Sequence, residues 1–306
     1  MTTRERLLGV LVAVLWGLNF LAIHLSLEQF PPFFLVALRF ALIAVPTMLL
    51  VPRPDVPLRW LIGYGLGFGT LQFLFLYWAM ATGMPTGLAS LVLQASAPFT
   101  VVLGSTLLRE RLDRGQVAGI LLAVAGLTVI GVQQLGTAAL GPFLLTLLGA
   151  LGWALGNLSS RLAKPSKPLH LALWMSVVPV LPMLVVSLWV EGPARIAQSF
   201  VGLATPTGLL AIGGLAYTIL LGTVVGSGIW TWLLSRHPAA RVAPFSMLVP
   251  VVGLLAAWVV LGETLDGVEI AGAVTVVLGV LLGSGALPAM RGRAAAEVEP
   301  HTAHAP

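Results

Sequence analysis

Averaged over windows of about 18–20 residues, hydropathy along this chain rises and falls ten times. The apolar segments run over 7–27, 33–51, 59–82, 86–108, 115–133, 141–162, 168–190, 207–234, 240–261 and 267–289. At about 1.5 Å of rise per residue, a helix over each crosses a hydrocarbon layer of roughly 30 Å. The pattern predicts an all-α, polytopic membrane protein of ten transmembrane helices. The polar links between the segments alternate in charge. One set carries Arg4 and Arg6, Arg53 and Arg59, Arg109, Arg111 and Arg114, Arg161, Lys164 and Lys167, Arg236 and Arg241, and Arg291 and Arg293, which is 14 of the 16 Lys and Arg. The other set holds only Arg195, and Arg39 lies inside a span. The positive-inside rule then places both termini in the cytoplasm of a cell inner-membrane protein.

Composition agrees. Hydrophobic residues make up 58% of the chain and charged residues 9%, against a charged share of about 25% in soluble domains. Mean hydropathy is +0.99. The links are too short to bury a core of their own. The net charge of +5 sits where membrane topology needs it, which argues against nucleic acid as a partner. There is no cysteine, so disulfides and thiolate chemistry are absent. The first apolar run follows Arg4 and Arg6 like a signal peptide. It is too long for one, contains Asn19 and His24, and reads instead as the first transmembrane helix. The Ala/Pro-rich stretch 290–306 reads as a disordered cytoplasmic tail.

Internal similarity divides the ten segments into five and five. Trp16-Gly17-Leu18-Asn19 has a counterpart in Trp153-Ala154-Leu155-Gly156-Asn157. Glu110, Leu112, Asp113, Gly119 and Gly126 recur at one constant offset as Glu263, Leu265, Asp266, Gly272 and Gly279. Pro98 and Pro250 mark the preceding helices. An odd number of spans per unit forces the two units into opposite orientations, and inverted units that exchange conformations expose a central site alternately to the two sides. The expected repeats are 1–136 and 137–289.

These residues resemble the drug/metabolite transporter superfamily, specifically its EamA-type exporters, over 5–289. The resemblance is carried by Val14-Leu15-Trp16-Gly17-Leu18-Asn19-Phe20, Leu38-Arg39-Phe40, the stretch from Gly83 to Gln94, Arg241-Val242-Ala243-Pro244 and Leu248-Val249-Pro250-Val251-Val252-Gly253. It looks closest to O-acetylserine/cysteine exporters, with aromatic amino-acid exporters next. It implies a central cavity between the halves, lined largely by helices 1, 3, 4, 6, 8 and 9.

Polar groups within a bilayer need a structural partner or a function. Asn19 and Asn157, at corresponding places in the two halves, and Gln72 and Gln94 offer donors and acceptors together, which suits a zwitterion; the alternative is interhelical glue. Ser96 lies two residues beyond Gln94. Trp16, Trp153 and Trp230, with Tyr77 and Tyr217, supply aromatic walls or plain packing. Arg39 either clamps a substrate carboxylate, acts as a gate, or serves structure by snorkelling or by pairing with helix-end carbonyls. The eleven Asp and Glu all fall in links, tails or near an interface. That leaves His24, one turn from Glu28, as the nearest candidate for proton linkage and favours export driven by the substrate gradient. Pro98, Pro244 and Pro250 free backbone carbonyls and give their helices places to bend. The Gly63, Gly65, Gly67, Gly69 run reads as helix packing. There is no metal cluster, P-loop or Gly-x-Ser-x-Gly elbow, so neither a cofactor nor an enzyme activity is expected.

The leading expectation is an exporter of small amino acids and related metabolites. Two others stand beside it: efflux of aromatic amino acids or cationic organic compounds, and a non-transport membrane interaction protein or lipid-processing enzyme. Oligomeric state is open.

Overall fold

Ten segments become ten helical passes, two of them short. A computed structural model describes residues 1–109, 111–134, 140–237 and 239–283. Glu110, Arg291, Arg293 and the 290–306 tail lie outside the described residues. Eight helices have the length and hydropathy to cross a membrane: α1 (Thr3–Leu27), α2 (Pro32–Leu50), α3 (Leu58–Ala81), α4 (Thr86–Leu107), α5 (Arg114–Gln133), α6 (Leu140–Ala163), α7 (Pro168–Val190) and α8 (Pro206–Arg236). The ninth pass, α9, comes in two pieces, Ala239–Ser246 and Leu248–Leu261, and α10 covers Gly267–Gly283. Within the ninth span expected over 240–261 the helix breaks at Met247, just before Pro250, one of the places where a bend was expected. Pro250 has no N–H to offer the Ser246 carbonyl, and the helix resets there. Pro98 does the same to Gln94 in α4, where Leu93–Ala95 tightens to a 3-10 turn.

The packing runs mainly between the halves. Helix α5 packs on α10, α2 on α7, and α4 on α9, while α1 packs on α8 and α9 as α6 packs on α3 and α4. Exchanging every helix with the one five places on leaves this set of partners unchanged. The bundle is thus two interleaved five-helix repeats, inverted because five is odd.

The repeated Leu-Asp motif turns out to be a helix start. Asp113 accepts the Gln116 N–H and opens α5, and Asp266 accepts the Glu269 N–H at 2.7 Å and opens α10. The glycines behind it form the α5–α10 seam. A Cβ on Gly119 would collide with the backbone of Gly279 and Gly283, and one on Gly126 with that of Gly272 and Val276. Without a hydrophobic drive between helices in lipid, such close backbone approach is what holds a seam. The four-glycine run in α3 serves two neighbours: Gly63 and Gly67 face α6, while Gly65 and Gly69 face α7.

Two helix starts depend on the opposite half. Pro31 and Pro85 stand at the N-cap positions of α2 and α4 and carry no side-chain acceptor. Glu191 instead takes the Phe33 and Phe34 N–H groups at 2.7 and 2.9 Å, and Glu263 takes those of Thr86 and Gly87 at 2.8 and 2.9 Å. A carboxylate at a helix N-terminus meets free donors and the positive end of the macrodipole. The apolar surface, including Leu49, Leu181, Trp189 and Val259, faces outward, as a lipid-facing belt must.

Candidate functional site

Helices α3 and α8 hold equivalent places in the two halves, and both unwind locally. Gly65–Leu71 and Thr218–Val225 are π-helical. In each a threonine hydroxyl donates to the carbonyl five residues back, Thr70 to Gly65 at 3.4 Å and Thr223 to Thr218 at 2.9 Å. The wider turn admits one extra residue and re-aims the side chains after it; such turns are frequent at functional sites.

The α8 turn is where several of the singled-out residues meet. From α1, the Trp16 indole N–H donates to the Gly222 carbonyl at 2.9 Å, and the ring lies 5.2 Å from that of Trp230. Asn19, one turn on, packs its carboxamide against Gly222, where a Cβ would stand 2.7 Å from its Oδ1. From α2, Arg39 donates through Nη1 to the Tyr77 hydroxyl at 3.1 Å and through Nη2 to the Thr223 hydroxyl at 3.0 Å. Its guanidinium carbon lies 4.2 Å from the Phe73 ring centroid, a cation–π contact. Arg39 is 5% exposed, so it does not snorkel to a surface. Tyr217 secures the same helix pair from the side, donating to the Leu15 carbonyl at 3.1 Å. Three buried polar atoms around this turn have no partner: Asn19 Oδ1, Arg39 Nε and Thr218 Oγ1. Buried polar groups are nearly always satisfied, so three orphans around one turn, one each from α1, α2 and α8, stand out.

A second group gathers where α3, α4 and α6 meet. Asn157 donates to the Thr100 hydroxyl at 3.2 Å. Trp153 packs edge-on to Phe68 at 5.9 Å between centroids. Gln72, Gln94 and Ser96 are all buried, and Gln72 Oε1 is unpartnered. No hydrogen bond joins Gln72 to Gln94 among the described residues. The expected equivalence of Asn19 and Asn157 needs correction: one meets α8, the counterpart of α3, whereas the other meets α4. Asn19 follows Trp16 by three positions and Asn157 follows Trp153 by four, and one extra residue turns a side chain by about 100° around the helix.

His24 lies away from both groups. Its Nδ1 is 3.3 Å from the Thr86 hydroxyl and its Nε2 3.8 Å from Glu28. His24 and Glu28 line a rim cavity of about 360 Å³ that also takes in Gln29, Met80, Arg195 and Gln198, so both signs of charge border its mouth. Pro98 and Pro250 sit three residues beyond Ala95 and Met247, where α4 and α9 are interrupted, and Pro244 lies within Ala239–Ser246.

The EamA-like transporter family model matches this sequence twice, over 4–132 and again over 140–285. The chain belongs to the EamA-like transporter family. It is 44% identical over 288 residues to a probable amino-acid metabolite efflux pump of Salmonella typhimurium, covering 92% of this chain and 95% of that one. A probable amino-acid metabolite efflux pump of Escherichia coli K12 is 43% identical with the same coverage. An uncharacterized transporter of Archaeoglobus fulgidus is 27% identical over 89% of this chain and 95% of its own. A crystal structure at 18% identity shares the fold, with a TM-score of 0.60 over 95% of this chain and 100% of the other.

In this EamA-like transporter the sequence reading passed over Thr218, Thr223 and Phe73. A signal for the two threonines exists. Tyr64-x-x-x-x-Gly69-Thr70 recurs as Tyr217-x-x-x-x-Gly222-Thr223, at the offset that carries Leu112 to Leu265. Tracking hydroxyls and glycines as well as Trp, Asn and acids exposes it.

Proposed function

We propose that this EamA-like transporter exports small amino acids and related metabolites across the cell inner membrane by alternating access, with both termini cytoplasmic. The repeats 1–136 and 137–289 are the units that exchange conformations, and the kinks after which Pro98 and Pro250 stand, together with Pro244, are where α4 and α9 bend. The observation that carries the reading is the cluster of partly buried Trp16, Asn19 and Trp230 with buried Arg39 and Tyr77 around the α8 π-turn, contributed by both halves and left with unpartnered polar atoms. Similarity to two probable amino-acid metabolite efflux pumps supports the cargo class. The α3–α4–α6 group of Gln72, Gln94, Ser96, Trp153 and Asn157 forms the opposing wall of the path, and the rim cavity beside His24 its outer mouth.

Among the alternatives, organic cations fit poorly. A guanidinium about 6 Å from a bound cation costs roughly 3 kcal/mol at an effective dielectric near 20. Aromatic amino acids remain compatible, because the Trp16–Trp230 pair offers a ring a stacking surface. Proteoliposome flux of labelled O-acetylserine, cysteine and aromatic amino acids tests the proposal. Saturable flux of at least one supports it, and its absence for all of them removes it.

A further inference from the structure

We propose that Arg39 is the receptor for the carboxylate of the cargo, and that the cargo reaches it by displacing the Thr223 hydroxyl. This deepens the export reading and rests on it. Arg39 carries five N–H donors in a planar fork. Among the described residues its only hydrogen-bond acceptors are two neutral hydroxyls, Tyr77 on Nη1 and Thr223 on Nη2. Among the described residues no Asp or Glu forms an ion pair with it. A cation this deeply buried without a counter-charge is costly unless something charged arrives. The half-to-half carboxylates, Glu191 and Glu263, are committed to helix N-termini.

A carboxylate binds guanidinium side-on through Nε–H and Nη2–H. Here Nε is buried and unpartnered, while Nη2 is held by a single neutral bond. Charge-assisted bonds are about twice as strong as neutral ones, so a carboxylate occupying both positions evicts Thr223. The freed hydroxyl keeps its own bond to the Thr218 carbonyl. Asn19 Oδ1 and Thr218 Oγ1, the other unpartnered atoms around this turn, are acceptors suited to an α-ammonium. Tyr77 and the Phe73 face hold the guanidinium plane throughout.

The exchange also moves the protein. Arg39 belongs to the first half and Thr223 to the second, so the contact joins α2 to the α8 π-turn. Cargo carboxylate replaces a bond between the halves with a bond to the cargo, and so unlatches that turn.

The test compares cysteine with cysteamine, which keeps the thiol and ammonium but lacks the carboxylate. Each is used to compete with labelled cysteine in proteoliposomes and to raise the melting temperature of detergent-purified protein. Wild-type protein is expected to prefer cysteine at least 100-fold. Arg39→Gln brings the two within about threefold; Arg39→Lys keeps the charge without the fork, and reduces the preference at least tenfold even where the glutamine variant does not fold. Thr223→Val, lacking the competing acceptor, retains the preference and binds cysteine about threefold more tightly. Equal competition by cysteamine in wild-type protein overturns the carboxylate assignment while leaving export intact. Weaker cysteine binding by Thr223→Val overturns the displacement.

Discussion

Replacing Glu191 by alanine probes the dependence of one half on the other. The carboxylate is 8% exposed and accepts three hydrogen bonds, from Phe33 N–H, Phe34 N–H and the Ser187 hydroxyl at 2.6 Å. In the alanine variant the Ser187 hydroxyl turns to a carbonyl of its own helix. The two backbone donors at the start of α2 have no such recourse, because Pro31 precedes them. Each stranded buried donor costs about 1–3 kcal/mol, and losing the charge at the helix end costs up to about 1 kcal/mol more. Relief of the carboxylate's own desolvation returns part of this, leaving about 3 kcal/mol. At about 2 °C per kcal/mol for a chain this long, the melting temperature falls by about 6 °C. Glu191→Gln retains one acceptor oxygen and turns its NH2 toward a donor, so it falls by more than half as much. The assay is the monodisperse fraction left after heating in detergent, read by size exclusion, since a cysteine-free chain gives a thiol dye nothing to report. An alanine variant that melts within 1 °C of wild type refutes the reasoning.

Gly279→Val places side-chain atoms on the backbone of Gly119 and Ala123; overpacking a seam costs about 1–3 kcal/mol or more, and the same assay registers it, whereas Gly213→Val, with nothing within 4 Å of the added carbon, leaves the melting temperature in place. The Glu269 backbone N–H, aided by Gln133, holds the Asp266 carboxyl below its ordinary value of 3.8. A depressed folded-state value means stability that is fully present above about pH 4 and lost as the pH falls below it; the melting difference between wild type and Asp266→Asn should therefore be present at pH 6 and shrink by pH 3. Trp16→Phe removes the bond to the Gly222 carbonyl, worth about 1 kcal/mol, and is expected to weaken apparent cargo affinity several-fold in the flux assay; Trp189→Phe, at the lipid surface, is expected to change nothing.

Much of the architecture was legible because a bilayer punishes the same errors everywhere. The segment expected at 168–190 is α7 to the residue, and 33–51 differs from Pro32–Leu50 by one position at each end. The break at Met247 was legible only as a bend expected from Pro250, because a hydropathy window averages over backbone geometry. The two asparagines looked equivalent by internal similarity, and the differing Trp-to-Asn spacing was the one sign in the sequence that they meet different helices. For Arg39 the sequence supplied the residue without its setting. Its partner Thr223 lies 184 residues away, beyond any local pattern, and the sign of its role depends on that neighbour's being neutral.

The interleaving of the halves has a consequence for how the protein is made. Trp16 closes its hydrogen bond on a residue 206 positions later. At a synthesis rate of about 5–20 residues per second, α1 sits in the bilayer for roughly 10–40 s before α8 exists. During that interval Asn19 and the indole of Trp16 have only lipid, water or a guardian protein for company. Helix α1 must therefore hold its place without its α8 partner, and assembly of the Trp16–Asn19 cluster is deferred until α8 has been inserted.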